Sequence, residues 1–119
     1  MTTQQIAERL VELCKQGKFE EAQKELFATD AKSHEPYPSA AFEKETSGLA
    51  AIIEKGHKFE AMVETTHGIT MTTPLVAGKS FASMLTMDVT MKGKDRMNMA
   101  ELCVYETKDG KIVSETFFM

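Results

Sequence analysis

A chain of 119 residues has room for one hydrophobic core and no second domain. Its 42% hydrophobic and 27% charged residues exclude a disordered tail, and a net charge of −4 with scattered lysines and arginines argues against nucleic acid or an anionic membrane as the partner. No apolar run approaches the roughly 20 residues that span a bilayer, and the opening Met1-Thr2-Thr3-Gln4-Gln5 lacks the basic and apolar regions of a secretory leader, so a cytoplasmic protein is expected.

The first half carries helical periodicity. Thr2 with Gln5 forms a capping box; Ile6, Leu10, Leu13 and Cys14 then share one face, and Gly17 is placed as a stop. A second helix begins near Lys18 with Phe19, Ala22, Leu26 and Phe27 as its stripe, fading at Ala28-Thr29-Asp30. From Lys32 to Ser47 the period is lost, and the prolines of His34-Glu35-Pro36-Tyr37-Pro38 predict a short strand or edge segment running into a loop. Ser47 or Gly48 opens a third helix with Leu49, Ile52 and Ile53 inward and Glu54, Lys55 and Lys58 outward, ending near His57 to Phe59.

Strand patterns follow. Ala61 to Thr72 is rich in Val, Thr, Ile and Met, and Pro74 and Gly78 interrupt it. Ser80 to Met91 alternates, Lys92-Gly93-Lys94-Asp95 makes a turn, Arg96 to Thr107 is a long strand, and Lys108-Asp109-Gly110-Lys111 signals a hairpin into Ile112 to Met119. Helices first and a meander after predict an α+β fold, three helices packed on a curved antiparallel sheet. Several strands are apolar on both faces while helices cover only one, which predicts a homodimer through the outer sheet face.

Cys14 and Cys103 stand at no redox or metal spacing and read as small buried hydrophobes; the nine methionines read as core filling or as an adaptable pocket lining. His34, His57 and His67 have no partner at ligand spacing, so no metal is expected, and His57 reads as a helix-end charge. Without a glycine-rich phosphate loop, a nucleophile motif or a dinucleotide fingerprint, no cofactor is expected either.

Three segments, the helix end ELFATDAKSHEP, the helix start SGLAAIIEK and the closing hairpin MAELCVYETKDGKIVSETFFM, resemble the SnoaL-like branch of the nuclear transport factor 2-like superfamily over nearly the whole chain. The resemblance implies a cone-shaped α+β barrel open at one end, usually dimeric, with a pocket between helices and sheet. Polyketide cyclases, ketosteroid isomerases, epoxide hydrolases, transport adaptors and many members of unassigned function share that fold, so the fold alone names no reaction. Cyclase and isomerase members use a carboxylate as general base and donors that stabilise an enolate. The last strand here has no Asp, and Glu115 is its sole carboxylate, a departure from the cyclase pattern.

The constellation that can carry chemistry is the pair Glu101 and Glu115 with Tyr105 as a hydroxyl donor, the catalytic set expected for cofactor-independent isomerisation or cyclisation of an apolar small molecule. The hairpin register decides whether the two glutamates meet. A two-residue Asp109-Gly110 loop pairs Cys103 with Thr116 and sends them to opposite faces. A three-residue loop with Gly110 as a left-handed bulge pairs Cys103 with Glu115 and puts Glu101, Cys103, Tyr105, Val113, Glu115 and Phe117 on one face; Lys108 before Asp-Gly fits this form. His67, Met99, Cys103 and Phe117 are placed as pocket lining, with a core or interface role as the other reading of His67; the resemblance implies that Glu35 faces the pocket too, a solvent-exposed turn being its other reading. Asp88 reads equally as a pocket acid or as a solvent-facing residue. A non-catalytic ligand-binding or protein-interaction domain is the alternative to an enzyme.

Overall fold

The computed structural model describes residues 1–119. Helix α1 (Thr3–Lys15) starts where the Thr2–Gln5 capping box satisfies its first amides, and Gly17, at φ 74°, turns the chain into α2 (Phe19–Leu26). Ile6, Ala7, Leu10, Val11, Leu13 and Cys14 of α1 are all buried. The Arg9 guanidinium bonds Glu25 at 2.8 and 3.1 Å, tying the two helices together.

Helix α2 ends one residue earlier than its apolar stripe suggests. Phe27 opens strand β1 (Phe27–His34), because a buried residue at that spacing serves a helix stripe or the first inward position of a strand equally well. A short β2 (Glu45–Ser47) pairs with β1, and α3 (Leu49–Met62) follows, about a turn longer than its periodicity predicts. His57 is therefore interior to α3, where it pairs with Glu20 of α2 and lies 3.6 Å from Glu54, rather than capping a helix end. Strands β3 (Val63–Met71), β4 (Leu75–Ala77), β5 (Ser80–Met91), β6 (Arg96–Lys108) and β7 (Lys111–Phe118) complete the chain.

The sheet has seven strands in the order β2-β1-β7-β6-β5-β3, with β4 alongside β5. It is mixed rather than antiparallel: β1 and β7 run parallel. Hairpin turns dictate antiparallel pairing, but no turn links these two strands. Helix α3 carries the chain from the β2 edge to the β3 edge, so β7 is free to settle beside β1 in the parallel sense. The sheet stays open, with β2 and β3 as its edges, and curves into the expected cone without closing on itself. Register shifts in β1/β7, β3/β5 and β6/β7 bend and twist it around the helices. Ile6, Leu10, Leu26, Ile52, Phe81 and Ile112 fill the space between the layers.

Candidate active site

The closing hairpin positions the site. Asp109 (φ 52°) and Gly110 (φ 75°) form a two-residue turn with both central residues left-handed, which pairs Lys108 with Lys111 and Thr107 with Ile112. The three-residue loop is therefore not formed. Beyond Ile112 the register slips by one residue, so that Glu106 faces Ser114, Tyr105 faces Glu115 and Cys103 faces Phe117. Val113 is the extra residue of this bulge. Neither register read from the turn occurs, yet the bulge restores the parity that the longer loop would have supplied. Glu101, Cys103, Tyr105, Glu115 and Phe117 share the concave face, and Val113 drops out of the set.

That face forms one wall of a cavity of about 770 Å³ between the sheet and the three helices, a size within the range of small-molecule pockets. Phe19, Phe27, Ile52, Phe59, Ile69 and Met87 contribute its apolar surface, and Met99, Cys103 and Phe117 line it with them. Glu35 also lines it. His67 does not: it falls in a β3 bulge, between the pairs Thr66–Val89 and Gly68–Asp88, where strict alternation fails, and its Nε2 lies 2.8 Å from Thr90 Oγ1 on the exposed side. Asp88 likewise serves the surface, in a two-pronged pair with Arg96 at 2.7 and 2.9 Å.

Two residues that sequence reasoning passed over organise the polar end. Lys55, expected to point outward, lies three residues after buried Ile52 on α3, and that i, i+3 relation was the available signal. Its ammonium donates to Ser33 Oγ at 2.6 Å and to Glu35 Oε1 at 3.1 Å, and sits 5.4 Å from the centre of the Phe117 ring. Ser33 is fully buried and stands opposite Glu115 in the parallel β1–β7 register. With its oxygen accepting from Lys55, its own proton points to the Glu115 carboxyl. The alternation Ala31, Ser33, Glu35 along β1 and its extension is what aims all three inward.

The electrostatics follow from burial. Glu115 is only 4% exposed; burial pushes its carboxyl up to about 7, against the downward pull of the Ser33 hydrogen bond and of Lys55. Glu101 is also pushed up to about 7, by burial first and then by the charges of Glu35 and Glu115, with Lys55 opposing. Tyr105 is 4% exposed and stacks on Phe81 with ring centres 4.8 Å apart; burial raises its hydroxyl well above the ordinary phenol range, so it stays a donor. Burial also raises the thiols of Cys14 and Cys103, which makes them poor nucleophiles. No group of three or more His, Cys, Asp or Glu is arranged to hold a metal ion. What the arrangement can do is offer two carboxyls that titrate near neutrality, beside a hydroxyl donor in an apolar cavity.

No curated protein matches the chain at a significant level. Among solved structures, a protein from Mesorhizobium loti whose name proposes a SnoaL-like polyketide cyclase is 32% identical, with a TM-score of 0.92 over 100% of both chains. A protein of unknown function with a cystatin-like fold from Xanthomonas campestris aligns at 20% identity and TM-score 0.81, over 99% of this chain and 90% of that one. IdmH from Streptomyces antibioticus, whose name also proposes a polyketide cyclase, aligns at 19% identity and TM-score 0.75 over 99% and 91%. The last two share the fold alone. The model of the SnoaL-like domain matches residues 1–119, and the chain belongs to that family.

Proposed function

We propose that the chain binds a largely apolar small molecule and catalyses a cofactor-independent proton transfer on it, an isomerisation or cyclisation through an enolate. The observation that carries this reading is the placement of Glu101 and Glu115 on one concave face, both with carboxyls raised to about 7, at the polar end of an apolar cavity. A base and an acid poised near the working pH are what proton abstraction beside a carbonyl requires. Glu115, drawn toward its ionised form by Ser33 and Lys55, is the base. Glu101, on the same face, is the acid, and Tyr105, directly opposite Glu115, donates to the developing oxyanion.

The test is α-deuterium incorporation into a panel of enolisable bicyclic and aryl ketones in D₂O, read by mass spectrometry. Exchange with the wild-type chain should rise with pH through about 7, as Glu115 ionises, and fall at least about a hundredfold in Glu115→Gln. Exchange equal to buffer, or unchanged in Glu115→Gln and Glu101→Gln alike, makes the chain a binding domain instead.

The outer face supports a homodimer as the working assembly. Met84 on β5, Leu102 on β6 and Phe118 on β7 pair directly across three adjacent strands, and are 46%, 39% and 52% exposed. A stripe laid across the strands can meet its own copy about a two-fold axis and leave the concave cavities free. No helix is long and apolar enough to cross a membrane. Two buried cysteines, both free thiols, suit the reducing cytoplasm.

A further inference from the structure

The charges around the cavity are lopsided. Five glutamates line it, Glu35, Glu60, Glu64, Glu101 and Glu115, and Lys55 is the one basic residue among the lining groups. Lys55 is already committed to Ser33 and Glu35. No side chain of the fold forms an ion pair or a hydrogen bond with the Glu101 carboxyl, which faces a space large enough for a ligand. Glu60 and Glu64 are exposed at the rim, where a negative field draws cations in and repels anions. Aromatic rings complete the surroundings: Phe19, Phe42, Phe59 and Phe117 line the same cavity. Carboxylates beside aromatic faces match an ammonium group on an apolar skeleton, and no spare cation exists to match a carboxylate or phosphate.

We infer that the molecule this cavity takes is an apolar amine, its protonated nitrogen paired with Glu101 and its hydrocarbon body against the aromatic wall. This rests on the reading of the cavity as a ligand pocket and narrows the substrate class within it. In the complex the ammonium takes the place of the proton on Glu101, while Glu115 and Tyr105 keep the roles assigned above. The groups that bear on Glu101 are Glu35 from the segment after β1, Glu115 on β7, Lys55 on α3 and the neighbouring Cys103 thiol on β6. Glu115 titrates with Glu101 near neutrality, so amine binding tightens as pH rises from 6 to 8, with release of a proton.

The experiment uses three probes on one skeleton, 2-(1-naphthyl)ethylamine, 2-(1-naphthyl)ethanol and 1-naphthylacetic acid, titrated into the full chain by calorimetry at pH 8 and low salt. The expected order is amine, then alcohol, then acid, with the amine at least about tenfold tighter than the acid, a ratio that one unscreened charge interaction in a half-buried site supplies. Glu101→Gln removes most of that preference and leaves the alcohol unchanged. Glu64→Gln, an exposed rim change that leaves folding intact, weakens the amine about twofold. An acid that binds as well as the amine, a Glu101→Gln variant with the full preference, or no binding of the amine at millimolar concentration overturns the inference. All these readouts are of binding, so an absence of proton exchange in the ketone assay refutes the catalytic reading and leaves this one standing.

Discussion

Tyr105 and Glu115 stand directly opposite one another on β6 and β7, both buried on the concave face, although the turn that joins their strands would by itself set them on opposite faces. The single extra residue at Val113 makes the difference. Deleting Val113 should straighten β7 and leave Glu115 opposite Tyr105 and Phe117 opposite Cys103 on the concave face, because Ile112 and Ser114 then continue the pairs with Thr107 and Glu106 in an unbroken alternation. The expected outcome is that Glu115 and Glu101 both still titrate near pH 7, as followed by ¹³C resonances of the glutamate carboxyls. Loss of the Glu115 midpoint in the deletion variant would refute the register argument.

Glu101 makes the fold sensitive to alkali. The folded chain holds its proton up to about pH 7, whereas the unfolded chain releases it near 4.5. The native state therefore binds more protons between those values, and stability falls as pH rises from about 4.5 to about 7, then levels off. Glu101→Gln removes the ionisation. It should raise Tm by a few degrees at pH 8, on the order of 1 kcal/mol, and leave it unchanged at pH 4. A variant with the same Tm deficit at both pH values would show that packing dominates.

Lys55→Met should act in the opposite direction. Removing the ammonium leaves Glu35 and Glu115 without their shared cation and takes a donor from Ser33. The titration midpoint of Glu115 should move upward, and stability at pH 8 should fall by roughly 2–4 kcal/mol as an uncompensated buried charge remains. Chemical denaturation at pH 5 and pH 8 checks this: the loss should shrink at the lower pH, where Glu101 and Glu115 are protonated.

Leu102→Glu tests the outer face. A charge at the centre of the Met84–Leu102–Phe118 stripe should convert a dimer into a monomer in a sedimentation run at micromolar concentration, with little change in secondary structure. Wild-type chain that sediments only as monomer would remove the dimer from consideration.

How far the sequence speaks depends on whether a feature is local. The Thr2–Gln5 capping box, the Gly17 stop, the limits of β5 at Ser80 and Met91, and the position of the hairpin at Lys108-Asp109-Gly110-Lys111 each depend on a few neighbouring residues and were legible, whereas the form of that turn, read as a three-residue loop, was not. The polar end of the cavity was half legible. Glu101, Glu115, Tyr105, Glu35, Met99, Cys103 and Phe117 all line the cavity, but Ser33 was passed over and Lys55 was read as outward. Both depend on β1 meeting β7 in parallel, a pairing with no turn between its strands and so no local signature. His67 failed for a related reason: a bulge in β3 breaks the alternation from which its face was read. Bulges answer to the packing of the whole sheet, and a string of residues carries them weakly.

The central place of β7 governs how the domain comes to exist at all. It lies between β1 and β6, so it bonds the N-terminal portion (α1, α2, β1, β2 and α3) to the β3–β6 meander. During synthesis neither portion can seal its exposed strand edge until β7 has left the ribosome. The cavity therefore assembles late, by pairing of segments some 80 residues apart along the chain, a topology of slow, non-local folding. Nascent chains halted before Lys111 should present two open edges, and chaperone dependence in the cell should track the emergence of this one strand.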